Sequence, residues 1–492
     1  MTSLPIRLAA ACCLAWSLSA AAWAADDGTP RPCRVAGLKH EVLCGSVTRP
    51  LDPAQPEGRT IAVHFVVVPA TAREKLPDPV FFFAGGPGQS AIALAGSVLP
   101  LFQRLGNRRD LVFIDQRGTG RSAPLECERD DARPLAWQLD AERAIQRLAD
   151  CLQRLRALPH GDLRFYTTTI AMADADAVRA RLGAPRVNLV GGSYGTRAAL
   201  EYLRQFPRQV RRIVIDGVAP PDMALPASMG EDVAVALEQL FADCDREAAC
   251  RARHPRLREQ WRDLLARLPV PASVTDPASG RQVSVTLTQD TLASTVRGPL
   301  YAPALAAALP YAIGEAAEGR YSALLGLAGG LGTGSRSLRL AEGMHFAVVC
   351  AEDMPRVAGV APAPGLGAAL ARPYQAICTG LPPARVPPEF YAMPPSAAPV
   401  LALSGTLDPV TPPRHGARAV EALGPQARHV VVANAGHGVL AIGCARDVLH
   451  RFIDATSDAE ALAVEADCLA RLPRPPAFEP PRPDALLPGA AR

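Results

Sequence analysis

Three side chains that could do nucleophilic chemistry together stand far apart in this chain: Ser193, Asp408 and His437. A neutral serine hydroxyl attacks poorly until an imidazole takes its proton. A carboxylate behind the imidazole orients it and stabilises its charged form. Ser193 lies in Gly191-Gly192-Ser193-Tyr194-Gly195, a G-x-S-x-G spelling, while Asp408 closes Ser404-Gly405-Thr406-Leu407-Asp408 and His437 sits in Asn434-Ala435-Gly436-His437-Gly438. Such a serine needs N–H donors for the oxyanion that forms on its substrate. The backbone of Tyr194, just after the serine, and of Gly86, in Ala84-Gly85-Gly86-Pro87-Gly88, are the expected donors.

The surrounding pattern says how these residues would be held. Val187 to Val190 is an apolar run that reads as a buried parallel strand, and Thr196 to Phe206 has apolar residues at helical spacing with Pro207 as its stop. The serine therefore falls on a sharp strand-to-helix turn, where glycines two residues either side remove Cβ atoms that would collide. The competing reading is a glycine-rich turn with an incidental serine. The runs Pro79–Phe83, Leu111–Ile114, Val210–Ile215, Pro399–Leu403 and His429–Ala433 also read as strands, with Thr60–Pro69 as an edge or hairpin strand. Ala136–Leu158 and Thr169–Leu182 read as helices. Strands alternating with helices predict an α/β fold with a mainly parallel sheet. Asp408 and His437 each follow a strand end, where open α/β sheets place their sites.

Other residues compete for these roles. Asp216 also follows a strand end and is a rival acid, although a turn-capping role suits it better. His345 and His415 are rival bases without the glycine-flanked setting of His437. Asp115 with Arg117 reads as a structural turn pair, and Asp174 and Asp176 as helix-start residues.

Composition bounds the rest. The 492 residues carry 52 basic and 48 acidic side chains, a formal charge of +4, which implies no strong field for nucleic acid. Residues 1–24 read as a cleaved signal peptide, with Arg7, an apolar stretch and Ala22-Trp23-Ala24. No later run is long and apolar enough to anchor in a bilayer. Ten of the twelve cysteines follow that segment and fall into sequential neighbours. The expected disulfides are Cys33–Cys44, Cys127–Cys151, Cys244–Cys250, Cys350–Cys378 and Cys444–Cys468. The alternative, zinc, lacks paired ligand spacing. No dinucleotide, P-loop or metal signature is present, so no cofactor is expected. The organisation reads as 25–218, the first part of the core; 219–395, a mainly helical cap insertion with a charged amphipathic segment from Val233 to Leu268; 396–472, the second part of the core; and 473–492, a proline-rich tail.

Ala84–Gly88 and Asp115-Gln116-Arg117-Gly118-Thr119-Gly120-Arg121-Ser122 resemble the GGPG and DQRGxGxS segments of proline iminopeptidases and tripeptidyl aminopeptidases. The GGSYG turn, with GTLDPVTP and AGHG near the end, is similar to the exported tripeptidyl aminopeptidase branch with its TAP-like C-terminal domain, as are Tyr166-Thr167-Thr168 and Asp174-Ala175-Asp176. The resemblance covers about Phe81–Ile215 and Pro399–Cys468 and weakens through the cap. Ala84 stands where cytosolic iminopeptidases often carry histidine. The resemblance implies an α/β-hydrolase fold, the order Ser193, Asp408, His437, and release of residues from a peptide's free N-terminus through an acyl-enzyme. It also implies carboxylates in the cap that accept the substrate ammonium, for which Glu352 and Asp353 are the best placed. Expected partners are a peptide or small ester, with no nucleic acid and no stable membrane anchor. An esterase with the same triad is the alternative, and a non-catalytic binding protein the remote one. An aspartate nucleophile, as in haloalkane or epoxide hydrolases, is disfavoured by Ser193.

Overall fold

The computed structural model describes residues 29–128, 134–276, 279–328 and 339–480. The expected signal peptide and the end of the proline-rich tail lie outside them. The main sheet runs in the order β1-β2-β3-β5-β4-β6-β7-β10-β11, where β1 is Arg31–Cys33, β2 Val42–Pro50, β3 Thr60–Val68, β4 Val80–Phe83, β5 Leu111–Ile114, β6 Val187–Gly192, β7 Val210–Asp216, β10 Val400–Gly405 and β11 Ala427–Val432. The β1-β2-β3-β5 pairings are antiparallel, and from β5 to β11 every pairing is parallel. The strand expected at Thr60–Pro69 as an edge or hairpin strand is the second arm of a hairpin with β2 and the third strand in from the edge.

β4 and β5 are short and wholly apolar, and β6, β7 and β10 mostly so, because both faces are covered. Successive side chains point to opposite faces. Phe81, Phe83, Val112, Ile114, Ile213 and Ile215 therefore enter one core, while Val80, Phe82, Leu111, Phe113, Val214 and Leu403 enter the other. The parallel register aligns the C-terminal strand ends: Phe83 opposite Gly191, Gly192 opposite Asp216, Asp216 opposite Leu403, and Gly405 opposite Val432. Residues beyond those ends are delivered to one rim.

Between β7 and β10 the chain builds a separate apolar core around Val233, Leu237, Phe241, Trp261, Val296 and Ile313. This region is mostly helical but contains an antiparallel hairpin, β8 (Val270–Thr275) with β9 (Gln282–Leu287), that the sequence reading missed. Its signal was present in the alternation of Gln-Val-Ser-Val-Thr-Leu, whose Val285 and Leu287 are buried between exposed neighbours. The segment Val233–Leu268 is three helices, Leu225–Arg246, Ala248–Arg253 and Leu257–Arg267. The disulfide Cys244–Cys250 spans the first break.

The helix expected over Ala136–Leu158 is likewise two, Leu135–Gln138 and Ala141–Arg156, because the Asp140 carboxylate accepts the Arg143 N–H and starts a new helix. Disulfides join Cys33 to Cys44, Cys127 to Cys151, Cys244 to Cys250, Cys350 to Cys378 and Cys444 to Cys468.

Two expected local roles are revised. Arg117 pairs with Asp174, at 2.7 and 3.0 Å, rather than with Asp115, and both partners are buried. Asp174 is therefore an ion-pair partner inside the helix Thr168–Arg181 and not its cap. Asp115 accepts from the Ser90 hydroxyl and the Ile92 N–H. Asp176 binds Arg179 and the Tyr202 hydroxyl.

Candidate active site

The turn after β6 holds Ser193 at φ 55° and ψ −124°, a conformation that an L-residue adopts only under strain of about 1–3 kcal/mol. Its N–H donates to the Asp216 carbonyl at 2.9 Å, and its carbonyl accepts from the Thr196 N–H at 2.9 Å and the Thr196 hydroxyl at 2.6 Å. The helix Tyr194–Gln205 starts immediately, so the Tyr194 N–H has no intrahelical acceptor. That helix crosses the end of β4 so closely that a Cβ on Gly195 would lie 2.1 Å from the Phe83 carbonyl oxygen. Gly85 packs on the serine itself, where a Cβ would come 3.2 Å from the Ser193 Cβ. The glycine-rich loop and the helix start thus both lie against Ser193.

Asp408 and His437 meet from neighbouring loops. The His437 Nδ1 lies 2.8 Å from Asp408 Oδ2, with Asp408 buried and 15% of the His437 side chain open to solvent. Asp408 is also held by the N–H groups of Val410 (2.8 Å) and Thr411 (2.9 Å) and by the Thr411 hydroxyl (2.7 Å). An ionised carboxylate only accepts, so it fixes the imidazole proton on Nδ1 and leaves Nε2 free to act as base. Asp216 does not compete for the histidine. Its two oxygens accept the N–H groups of Val439 and Leu440, both at 2.8 Å, and so fasten the loop that carries His437. The next residue, Gly217, lies under the imidazole, where a Cβ would come 3.2 Å from His437 Cε1. Asp216 and Gly217 therefore join the serine turn to the histidine.

The electrostatics agree with these positions. Burial would raise the Asp408 pKa, but the charge of His437 and the hydrogen bonds from His437 and Thr411 outweigh it and hold the carboxyl below its ordinary range. Burial would lower the His437 pKa, yet Asp408 overrides it through charge and hydrogen bond, with a further contribution from Asp216, and the imidazole ends above its ordinary value. The rival histidines are engaged with other partners. His345 is buried with Nδ1 3.0 Å from the Pro87 carbonyl and Nε2 3.1 Å from the Tyr374 hydroxyl, and burial drives its pKa down to about 4. His415 is buried against Asp232 at 3.2 Å.

A family model described as the α/β hydrolase fold matches residues 78–442. The chain belongs to this family. Among curated relatives of this α/β hydrolase, the serine protease Hip1 of Mycobacterium tuberculosis (strain ATCC 25618 / H37Rv) is 29% identical over 323 residues, covering 60% of the chain and 61% of Hip1. The tripeptidyl aminopeptidase of Streptomyces lividans is 31% identical over 231 residues, covering 43% of the chain and 40% of that enzyme. Carboxylesterase B of Mycobacterium tuberculosis (strain CDC 1551 / Oshkosh) is 28% identical over 229 residues, covering 42% of each. The matched stretches span less than two thirds of these relatives.

One expectation for the α/β hydrolase is corrected. Glu352 and Asp353 do not present open carboxylates to a substrate ammonium. They lie in a buried π-helical turn, Val349–Asp353. Arg197 of the serine-bearing helix reaches Asp353 at 2.8 Å and Glu352 at 3.4 Å, and Glu352 also accepts the Thr168 N–H (2.6 Å) and hydroxyl (3.0 Å). The same Thr168 hydroxyl lies 2.7 Å from the Tyr194 hydroxyl, which donates to Gln116 at 3.3 Å. These groups brace the side chain of Tyr194, the residue that follows Ser193. The sequence reading placed the two acids beside a disulfide, as they are, but had no means of pairing them with Arg197, 155 positions away for Glu352.

Two more residues of the α/β hydrolase site were missed. Thr411, three residues beyond Asp408, could have been found as the hydroxyl closing an Asp-x-x-Thr turn. Tyr301, from the helical region, offers no sequence signal. Its carbonyl accepts the His437 N–H at 2.9 Å, and its ring meets the imidazole edge-on at 5.0 Å.

Proposed function

We propose that this chain is an exported serine hydrolase that releases residues from peptide N-termini through an acyl-enzyme. The observation that carries the reading is the hydrogen bond from the buried Asp408 to His437, beside the strained turn of Ser193. In the reaction, His437 Nε2 takes the Ser193 proton as the hydroxyl attacks the substrate carbonyl. The N–H groups of Tyr194 and Gly86 stabilise the oxyanion, and His437 then protonates the leaving amine. A water activated by the same imidazole frees the acyl group. Relatives named as a serine protease and a tripeptidyl aminopeptidase support a peptide substrate. Five disulfides support export, and no helix among the described residues is long and apolar enough to cross a membrane.

One observation favours a second reading, an esterase with the same machinery: the two acids expected to receive a peptide's ammonium are closed by Arg197. The test is fluorophosphonate labelling of the full chain, followed by a panel of aminoacyl and tripeptidyl anilides, free or blocked at the N-terminus, against short p-nitrophenyl esters. Labelling at Ser193 with preference for free N-termini supports the aminopeptidase. Turnover confined to esters selects the esterase, and absence of labelling rejects both.

A further inference from the structure

One cation at the candidate active site forms no ion pair among the described residues. Arg297, on the helix Gln289–Leu300, donates through Nη2 to the Tyr301 hydroxyl at 2.7 Å, and its guanidinium lies 5.3 Å from the centre of the Tyr301 ring. Its Nε is buried without a hydrogen-bond partner, and among the described residues no carboxylate forms an ion pair with it. Tyr301 is the residue that touches His437 by both backbone and ring. Arg297 is therefore one side chain removed from His437. His345 in turn holds the Pro87 carbonyl of the glycine-rich loop.

Three guanidinium groups buried more deeply than the half-buried Arg297 do meet an anion or several carbonyls, although the Nε atoms of Arg197 and Arg212 are unpartnered too. Arg117 has Asp174, Arg197 has Asp353, and Arg212 has the carbonyls of Phe452, Ile453 and Ala455. Desolvating a charge without a partner is costly. A planar fork of donors braced on an aromatic ring is suited to a carboxylate, which it can bind with two parallel hydrogen bonds. We propose that Arg297, braced by Tyr301, forms a carboxylate-binding subsite, so that favoured substrates carry an acid group close to the carbonyl attacked by Ser193. This rests on the hydrolase reading for the position of that carbonyl, but binding itself does not depend on turnover. The carboxylate has two sources, an acidic group on the acyl side or the free C-terminus of a short leaving peptide.

The experiment uses the full chain with two readouts. In the wild type and in Arg297→Gln and Arg297→Lys, kcat/KM is compared for p-nitrophenyl hydrogen glutarate against its methyl ester, and for short peptides with free against amidated C-termini. In Ser193→Ala, with and without Arg297→Gln, the dissociation constants of the same peptides and of glutarate against glutaramide are measured by calorimetry. The expected result is an acid preference of about 10- to 100-fold in at least one pair, the size of a hydrogen-bonded charge. That ratio falls toward one in Arg297→Gln and is partly restored in Arg297→Lys, and the pair that responds identifies the source. Equal binding of acid and amide, or a preference that Arg297→Gln leaves intact, overturns the subsite. Acid-selective binding without any hydrolysis upholds the subsite and rejects the hydrolase reading instead.

Discussion

The shared oxygen Oδ2 of Asp408, which meets both His437 and Thr411, makes the acid's role measurable. Replacing Asp408 by Asn removes the negative charge and offers an amide where Nδ1–H needs an acceptor. Turnover is expected to fall by about 10⁴-fold, the size seen for the equivalent change in a serine protease. The pH profile gives an independent check. The base must be neutral, so kcat/KM rises as pH climbs through the His437 pKa, which the Asp408 charge holds above 6.5. The acid limb of the wild-type profile should therefore lie above pH 6.5, and the residual activity of Asp408→Asn should have its limb at lower pH. Asp216→Asn is expected to do less harm. It loosens the Val439–Leu440 anchor without touching Nδ1, and a rate comparison of the two variants separates orienting the imidazole from fastening its loop.

At the scale of elements, the turn around Ser193 shows what was legible. The run Val187–Val190, the glycines and the periodic helix each declared themselves locally, and the structure places β6 and the helix Tyr194–Gln205 within two residues of the reading. The reason is that β4, β5 and β6 are buried on both faces, and continuous apolar runs ending in glycine are hard to mistake. The hairpin β8–β9 was missed because its strands bury one face only and lie among helices. Arg117 was misassigned to Asp115 because sequence proximity suggested a pair, whereas the guanidinium is spent on Asp174 and on carbonyls of Leu51 and Phe165. Tyr301 and Arg297 were invisible because the helical region contributes by approach in space, with no motif of its own. The turn also supports a prediction. In Gly195→Ala the new methyl would meet the Phe83 carbonyl at 2.1 Å, and neither backbone can withdraw without parting helix from strand. A loss of at least about 1–3 kcal/mol is expected from the overpacking alone. Denaturant unfolding should show it, together with loss of fluorophosphonate labelling at Ser193.

Across the whole molecule, the helical region and the sheet are tied together at the candidate site. The chain returning from that region pairs Leu340 with Gln89 and Ala341 with Gly88, so it lies along the glycine-rich loop. It then enters the π-helical turn whose Glu352 reaches Thr168 and Arg197 under the serine-bearing helix. The Cys350–Cys378 disulfide joins this turn to the helix Leu366–Thr379. Changing both cysteines to serine is expected to cost ~2–4 kcal/mol, read as a lower unfolding midpoint under non-reducing conditions. Glu352 gives this junction a pH signature. Burial raises its pKa to about 7, against the opposing effects of the Arg197 charge and the Thr168 hydrogen bonds. The folded chain thus holds a proton on Glu352 that the unfolded chain releases near 4.5. Stability contributed by that proton is fully present below pH 4.5 and is lost as pH rises toward 7, because the unfolded chain ionises freely while the fold must retain the proton. Glu352→Gln keeps an oxygen to accept the Thr168 N–H and carries no titrating proton. The difference in Tm between Glu352→Gln and the wild type should therefore shift in favour of the variant as pH increases from 4.5 to 7. A difference that stays flat across this range would show that Arg197 keeps Glu352 ionised throughout, and the junction would then be a permanent ion pair rather than a protonated one.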